Sequence, residues 1–122
     1  MEKEKLNQLC KEICNQIPSG EDNIEQSEKL IVDGITYTYE EVEELTTEDE
    51  GKYQNGGCIY AIGVADKEEG WKIEGEPLFY IEQDFTRSGS YYSDYYYDYE
   101  KPYRVEKVKK VIEVEEWACV KN

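Results

Sequence analysis

The feature that most constrains the fold is a helix pattern at the start of the chain, followed by strand patterns. Within residues 2–17, apolar side chains recur at i, i+3, i+4, i+7, i+8 and i+11, namely at Leu6, Leu9, Cys10, Ile13, Cys14 and Ile17. This spacing places them on one side of a helix, and Pro18 then ends the pattern. The sequence therefore predicts an amphipathic helix over residues 2–17 with its apolar stripe facing the core.

The chain after this helix carries the patterns of antiparallel strands. At residues 29–39, two apolar runs flank Asp33-Gly34. This dipeptide suits a type I′ hairpin turn because both central residues need positive φ. The segment at 58–65 has apolar residues on both faces, which predicts a central strand. Further strands are predicted at 71–73, 78–85 and 103–120.

More specific predictions can be made for residues 38–45, 46–57 and 103–120. Residues 38–45 fit either a capping box that opens a short helix or a continuing edge strand. Residues 46–57 are expected to form an acidic loop, with its turn at Asn55-Gly56-Gly57. In the last segment, the phase of the apolar pattern changes near Glu106-Lys107, which predicts a β-bulge. Lysines are predicted to guard this edge against pairing, at Lys107, Lys109 and Lys110.

These elements predict an α+β fold in one domain, residues 1–122. The helix packs on a curved antiparallel sheet of about five strands within residues 29–120, or on a small open barrel. A chain of 122 residues has the usual length of one domain.

Charge limits the kind of partner that the protein binds. The net charge is −15, and residues 21–50 hold 12 acidic residues against one base, Lys29. Direct nucleic-acid binding is excluded, because contacts with phosphates depend on Lys and Arg. The chain is instead attracted to basic surfaces, although a solvated acidic surface is the alternative reading. The candidate partner-binding acids are Glu40, Glu41, Glu43 and Glu44.

Tyrosines are concentrated late in the chain: seven of the 12 lie between Tyr91 and Tyr103, with Ser and Asp between them. This composition is typical of antibody paratopes, where tyrosine gives a large contact area at low entropic cost. The alternative is a twisted hairpin whose rings pack on each other, with the odd-numbered tyrosines on one face. The candidate contact residues are Tyr91, Tyr92, Asp94, Tyr95, Tyr96, Tyr97, Asp98 and Tyr99.

Groups that usually carry catalysis are missing. The chain has no histidine, which removes the commonest general base and metal ligand, and it has no phosphate-binding glycine loop. We therefore expect a protein that is not an enzyme and has no cofactor. The four cysteines lack zinc-site spacing and are expected to be small buried hydrophobes, without metal or disulfide. No 18-residue apolar run and no signal peptide is seen, which predicts a cytoplasmic protein with no membrane contact.

The run from Arg87 to Tyr97, followed by a valine-rich strand and Trp117, resembles small uncharacterised proteins of phages and mobile elements. As a class, small acidic chains without histidine and rich in strands are similar to anti-CRISPR and other anti-defence inhibitors. That similarity implies nucleic-acid mimicry, in which carboxylates occupy the phosphate positions of a host nuclease groove. The implied partner is a host nucleic-acid-binding protein such as a CRISPR effector.

Two other functions remain open from the sequence. One is a phage accessory or structural module that binds another protein through the tyrosine-rich hairpin and does not need the acidic charge. The other is a regulatory domain that binds a small ligand in an apolar pocket.

Overall fold

A computed structural model describes residues 2–27, 29–46, 53–89, 96–109 and 115–120. Helix α1 (Lys3–Gln16) comes first, and a 3₁₀ turn (Ile24–Gln26) follows it. The strands within the described ranges are β1 (Leu30–Val32), β2 (Ile35–Thr46), β3 (Tyr53–Asp66), β4 (Lys72–Ile73), β5 (Phe79–Ser88), β6 (Tyr96–Tyr99), β7 (Tyr103–Lys109) and β8 (Glu115–Cys119). The α+β class is confirmed, but the sheet is larger than the five strands expected.

Helix α1 packs as its periodicity predicts. Its bounds lie one residue inside the predicted range at each end. Five of the six predicted stripe residues are buried, and Leu6 is partly buried against them. Ile13 is 0 % exposed. The stripe meets β3 and β5 in one core that includes Tyr60, Ile62, Phe79 and Ile81.

The sheet is antiparallel, with the order β1-β2-β3-β5-β7-β8; β4 pairs with β3, and β6 with β5. The central position predicted for the 58–65 strand is confirmed, because β3 pairs with β2 and β5 on its two sides. Asp33 and Gly34 have φ values of 50° and 78°, as the type I′ turn requires.

The structure decides two predictions near the acidic region. Of the two alternatives for residues 38–45, the short helix is wrong and the continuing strand is confirmed, because their backbone pairs with β3 from Tyr37 to Thr46. The predicted loop at 46–57 is already strand from Tyr53 onward, and residues 47–52 lie outside the described residues. Gly56 serves close packing and not a turn: a Cβ there would lie 2.7 Å from the Phe85 ring and 2.8 Å from a backbone oxygen.

The C-terminal prediction of one bulged strand is also wrong. Strands β7 and β8 form an antiparallel pair, and Glu106 and Lys107 lie inside β7, where the pairing with β8 shows no bulge. Lys107 and Lys109 lie in β7 opposite β8, and Lys110 lies outside the described residues. An irregularity does occur earlier: Phe85 pairs with Tyr99 but Glu82 pairs with Tyr103, so one extra residue lies between β6 and β7.

The sheet is strongly curved. Trp117 of β8 donates a 2.7 Å hydrogen bond from Nε1 to Glu43 of β2, although β3, β5 and β7 lie between these strands. The face away from α1 must therefore be concave. On this concave face, Tyr80 packs against Trp117 with ring centroids 5.0 Å apart, and Ile59 is completely buried. Within the described residues β1 and β8 do not pair, so the curved sheet stays open.

The cysteines occupy different environments. Cys10 and Cys14 are buried in the core with their Sγ atoms 3.9 Å apart. Cys58 is partly buried, and desolvation raises the pKa of its thiol to about 11. Cys119 is exposed, so the prediction of small buried hydrophobes is wrong for this residue. It falls at the end of edge strand β8, where no further strand covers it within the described chain.

Candidate functional site

The four candidate glutamates of β2 are exposed and are divided between the two faces of the sheet. Glu41 and Glu44 pair with Tyr60 and Cys58, so they lie on the helix-side face, the face that packs against α1. Glu40 and Glu43 lie on the concave face. The division follows from strand alternation together with a register shift between Glu41 and Glu43. The four candidate glutamates therefore do not all face the same side of the sheet.

The two glutamates on the concave face contribute to the fold. Glu43 accepts the hydrogen bond from the Trp117 indole. Glu40 accepts a 3.4 Å hydrogen bond from the backbone N–H of Ile73 in β4. Glu41 makes a side-chain hydrogen bond with Cys58 of the neighbouring strand β3. Glu41 and Glu44 are both exposed on the helix-side face, so they are the better candidates for contact with a partner.

Two of the predicted tyrosines pack with Phe85 on the helix-side face. We call Phe85, Tyr97 and Tyr99 the ring cluster. The rings of Tyr97 and Tyr99 stack with centroids 5.7 Å apart and planes 10° from parallel, and Phe85 lies 5.5 and 5.8 Å from them. Tyr99 also exchanges two backbone hydrogen bonds with Gly20. Tyr99 is therefore structural, whereas Tyr97, 38 % exposed, is the outer ring of the cluster.

The remaining tyrosine-segment residues do not join the ring cluster. Tyr96 and Asp98 point to the other face of β6 by strand alternation, and Tyr96 is 75 % exposed. Tyr103 lies in β7. The candidates outside the described residues are Tyr91, Tyr92, Asp94 and Tyr95.

A site that the sequence did not indicate is a carboxyl pair on β5. The Tyr103 hydroxyl donates to Glu82 and lies 2.9 Å from Oδ2 of Asp84. Gly57 leaves room for this pair, because a Cβ there would lie 2.5 Å from Asp84. With 29 acidic residues in the chain, an alternating Glu-x-Asp gave no distinct signal. The one sequence feature related to the carboxyl pair is Gly57, which lies opposite Asp84 in the sheet.

Glu82 holds its proton more readily than an isolated carboxyl does, because its pKa is raised. Burial, followed by the neighbouring Asp84, raises the pKa of Glu82 from 4.5 to about 7, while the bond from Tyr103 acts in the opposite direction. The folded state thus binds this proton more tightly than the unfolded state. Its stabilising contribution is complete below about pH 4.5 and is lost as the pH rises to about 7.

Replacing Glu82 with glutamine should flatten this pH dependence. At pH 7.5 we expect Glu82→Gln to raise the free energy of unfolding by about 1 kcal/mol, after allowance for solvent screening. At pH 4.5 the change should be close to zero. Urea unfolding at both pH values measures the effect, and Glu106→Gln on an exposed position is the control. Parallel pH profiles for the wild type and Glu82→Gln would contradict the assignment.

No group of three metal-binding side chains occurs among the residues that the structure describes. Over the same residues, no helix has the length and apolar character needed to cross a bilayer.

Comparison with known proteins gives a family but no activity. The family described as "Phage T4 Y04K protein" matches residues 1–120, almost the whole chain. No curated protein and no solved structure matches. The resemblance to phage proteins is thereby confirmed at the level of a family whose description names no activity. The chain belongs to the phage T4 Y04K protein family.

Proposed function

We propose that this phage protein is a non-catalytic inhibitor that binds the basic nucleic-acid-binding surface of a host defence protein, such as a CRISPR effector. The observation that carries the proposal is that Glu41 and Glu44 share the helix-side face with Tyr97. Carboxylates and an accessible aromatic ring are thus presented to one side. Cytoplasmic location in the host cell and nucleic-acid mimicry belong to the same proposal.

The physical basis is complementarity to a nucleic-acid groove. Such a groove is cationic and offers stacking partners for bases. Glu41 and Glu44 pair with residues two apart on β3, so their strand positions are roughly 7 Å apart. Tyr97 belongs to β6, and two strands, β3 and β5, lie between it and β2, which is about 14 Å across the sheet. The register places Tyr97 level with Gln54 and Glu44 level with Cys58, which adds about 13 Å along the strands. The net charge of −15 adds long-range attraction to a basic target.

The test is competition with nucleic acid on a panel of purified CRISPR effectors and other basic host nucleases. Glu41→Gln with Glu44→Gln should slow association about threefold to tenfold at 0.1 M salt, because steering depends on charge. Tyr97→Ala should speed dissociation about tenfold, because a desolvated aromatic anchor contributes more than 1 kcal/mol. Surface plasmon resonance separates the two rates.

Matched controls make this test specific. Glu68→Gln with Glu69→Gln removes the same charge from the exposed turn that follows β3, and its rates should stay near wild type. Native circular dichroism is required of every variant. The proposal is wrong if the protein does not displace nucleic acid from any member of the panel, or if both pairs of glutamine changes slow association equally.

A second candidate is a phage accessory module that binds another protein through tyrosines alone. Tyr96 favours it, since a 75 % exposed aromatic ring on the other face of β6 has no role in the ring cluster. In that case Tyr96→Ala should weaken binding to a phage protein, while the glutamine pair leaves it unchanged.

A further inference from the structure

The outer edge of β2 is a distinct interaction surface. We propose that this edge, residues 38–46, binds an extended basic peptide segment of the partner by β-strand addition. The inference deepens the proposed function and rests on it for the basic character of the partner. It adds the mode of binding, through backbone hydrogen bonds along an edge and not through a surface contact alone.

The edge is long and open. Strand β1 pairs with β2 only from Ile35 to Tyr37. Among the described residues, no strand pairs with the outer side of β2 from Thr38 to Thr46. At about 3.3 Å per residue this edge is roughly 30 Å long. Residues 40–45 are all exposed, although on the concave face the carboxylates of Glu43 and Glu40 are bonded to Trp117 and to the backbone of Ile73.

The pairing in the β1–β2 hairpin shows which backbone N–H and C=O groups of β2 point outward and are available to an added strand. Across the two-residue turn, Ile35 and Tyr37 face Val32 and Leu30 of β1, and these are the hydrogen-bonded positions of such a hairpin. Alternation then directs the N–H and C=O groups of Tyr39 outward, and those of Glu41 as well. Unpaired groups of this kind are a template for another strand.

Charge selects which strand is accepted. Glu40 and Glu43 flank the edge on the concave face, and Glu41 and Glu44 flank it on the helix-side face. Like charges directly opposite each other on neighbouring strands are destabilising, whereas opposite charges are favourable. A second copy of β2 or any acidic strand is therefore repelled. Lysine or arginine residues at alternate positions of an incoming strand share one face, and on the helix-side face they find the carboxylates of Glu41 and Glu44.

A recess lies where the open edge begins. A cavity of about 290 Å³ is lined there by Leu30, Thr38, Tyr39 and Trp71, among others. Trp71 has a φ of 65°, a left-handed conformation that is strained for a bulky residue and that occurs preferentially at functional sites. The recess is suited to an apolar side chain of the incoming strand. Further along the edge, exposed Val42 and Leu45 extend the apolar contact.

The experiment uses the full chain, labelled with ¹⁵N, and three peptides of about ten residues, the length of the edge at about 3.3 Å per residue. One alternates lysine and valine, one alternates lysine and proline at the same charge, and one alternates glutamate and valine. We expect only the lysine-valine peptide to slow hydrogen exchange at the amides of Tyr39 and Glu41, by at least about tenfold. The proline peptide cannot form the strand ladder.

Charge exchange provides a second arm. Glu41→Lys with Glu44→Lys should lose protection by the lysine-valine peptide and gain it from the glutamate-valine peptide. Equal effects of the lysine-proline and lysine-valine peptides, or no protection by any peptide, would overturn strand addition. The outcome is separable from the proposed function: charge-dependent displacement of nucleic acid without amide protection supports the inhibitor and rejects only this mode of binding.

Discussion

Ile13→Ala is expected to lower the free energy of unfolding by roughly 2–5 kcal/mol. Ile13 is 0 % exposed and lies at the centre of the helix stripe that covers β3 and β5. Removing its buried methyl groups loses transfer free energy and leaves a cavity that a close-packed core fills only in part. Urea unfolding followed by circular dichroism measures the change, and the midpoint should shift without a large change in slope.

The control for this change is on the same helix. Lys11 is exposed on α1, so Lys11→Ala should alter stability by less than about 0.5 kcal/mol. If Ile13→Ala is as mild as the control, the helix does not pack on the sheet in solution.

Gln83→Ala is expected to cost about 3–5 kcal/mol, a loss similar to that of a large core residue. Gln83 is 1 % exposed and joins three segments. Its Oε1 accepts from the N–H of Ile24 at 3.0 Å. Its Nε2 donates to the carbonyl oxygens of Pro18 and Glu100, at 2.8 and 3.0 Å. Alanine would remove this partner from the buried N–H of Ile24 and from the partly buried carbonyls of Pro18 and Glu100, and a buried group left unsatisfied costs about 1–3 kcal/mol.

Thermal unfolding measures this prediction, with an expected fall in Tm of more than about 10 °C. Gln8→Ala removes the same amide from an exposed position of α1 and should leave Tm nearly unchanged. A fall in Tm for Gln83→Ala that is no larger than for Gln8→Ala would show that the three backbone groups find other partners. The linker after α1 and the irregularity between β6 and β7 would then be held independently of Gln83.

The local patterns were reliable where one interaction decides the structure. The helix at residues 3–16 and the turn at Asp33-Gly34 were predicted within one residue. In the helix, the apolar residues repeat with the period of an α-helix, so this pattern alone predicts the element. In the turn, two adjacent residues favour positive φ. Neither depends on which distant segment lies next to it.

The candidate site was predicted only in part, because a strand separates neighbours in sequence onto opposite faces. Glu43 and Glu44 are adjacent in the chain, yet Glu43 bonds to Trp117 on the concave face and Glu44 lies on the helix-side face. Tyr97 and Tyr99 do share a face, as alternate residues of a strand must. The carboxyl pair at Glu82 was not found.

The sequence by itself determined the elements whose signal is local: an amphipathic helix, a tight hairpin, a central apolar strand and the strong negative charge. Only the tertiary structure decided the course of residues 38–46 and 53–57, because a strand is stabilised by the partner that supplies its hydrogen bonds, and that partner is distant in sequence. For the same reason the curvature that brings Trp117 to Glu43 had no local signal. It arises from the accumulated twist of the intervening strands.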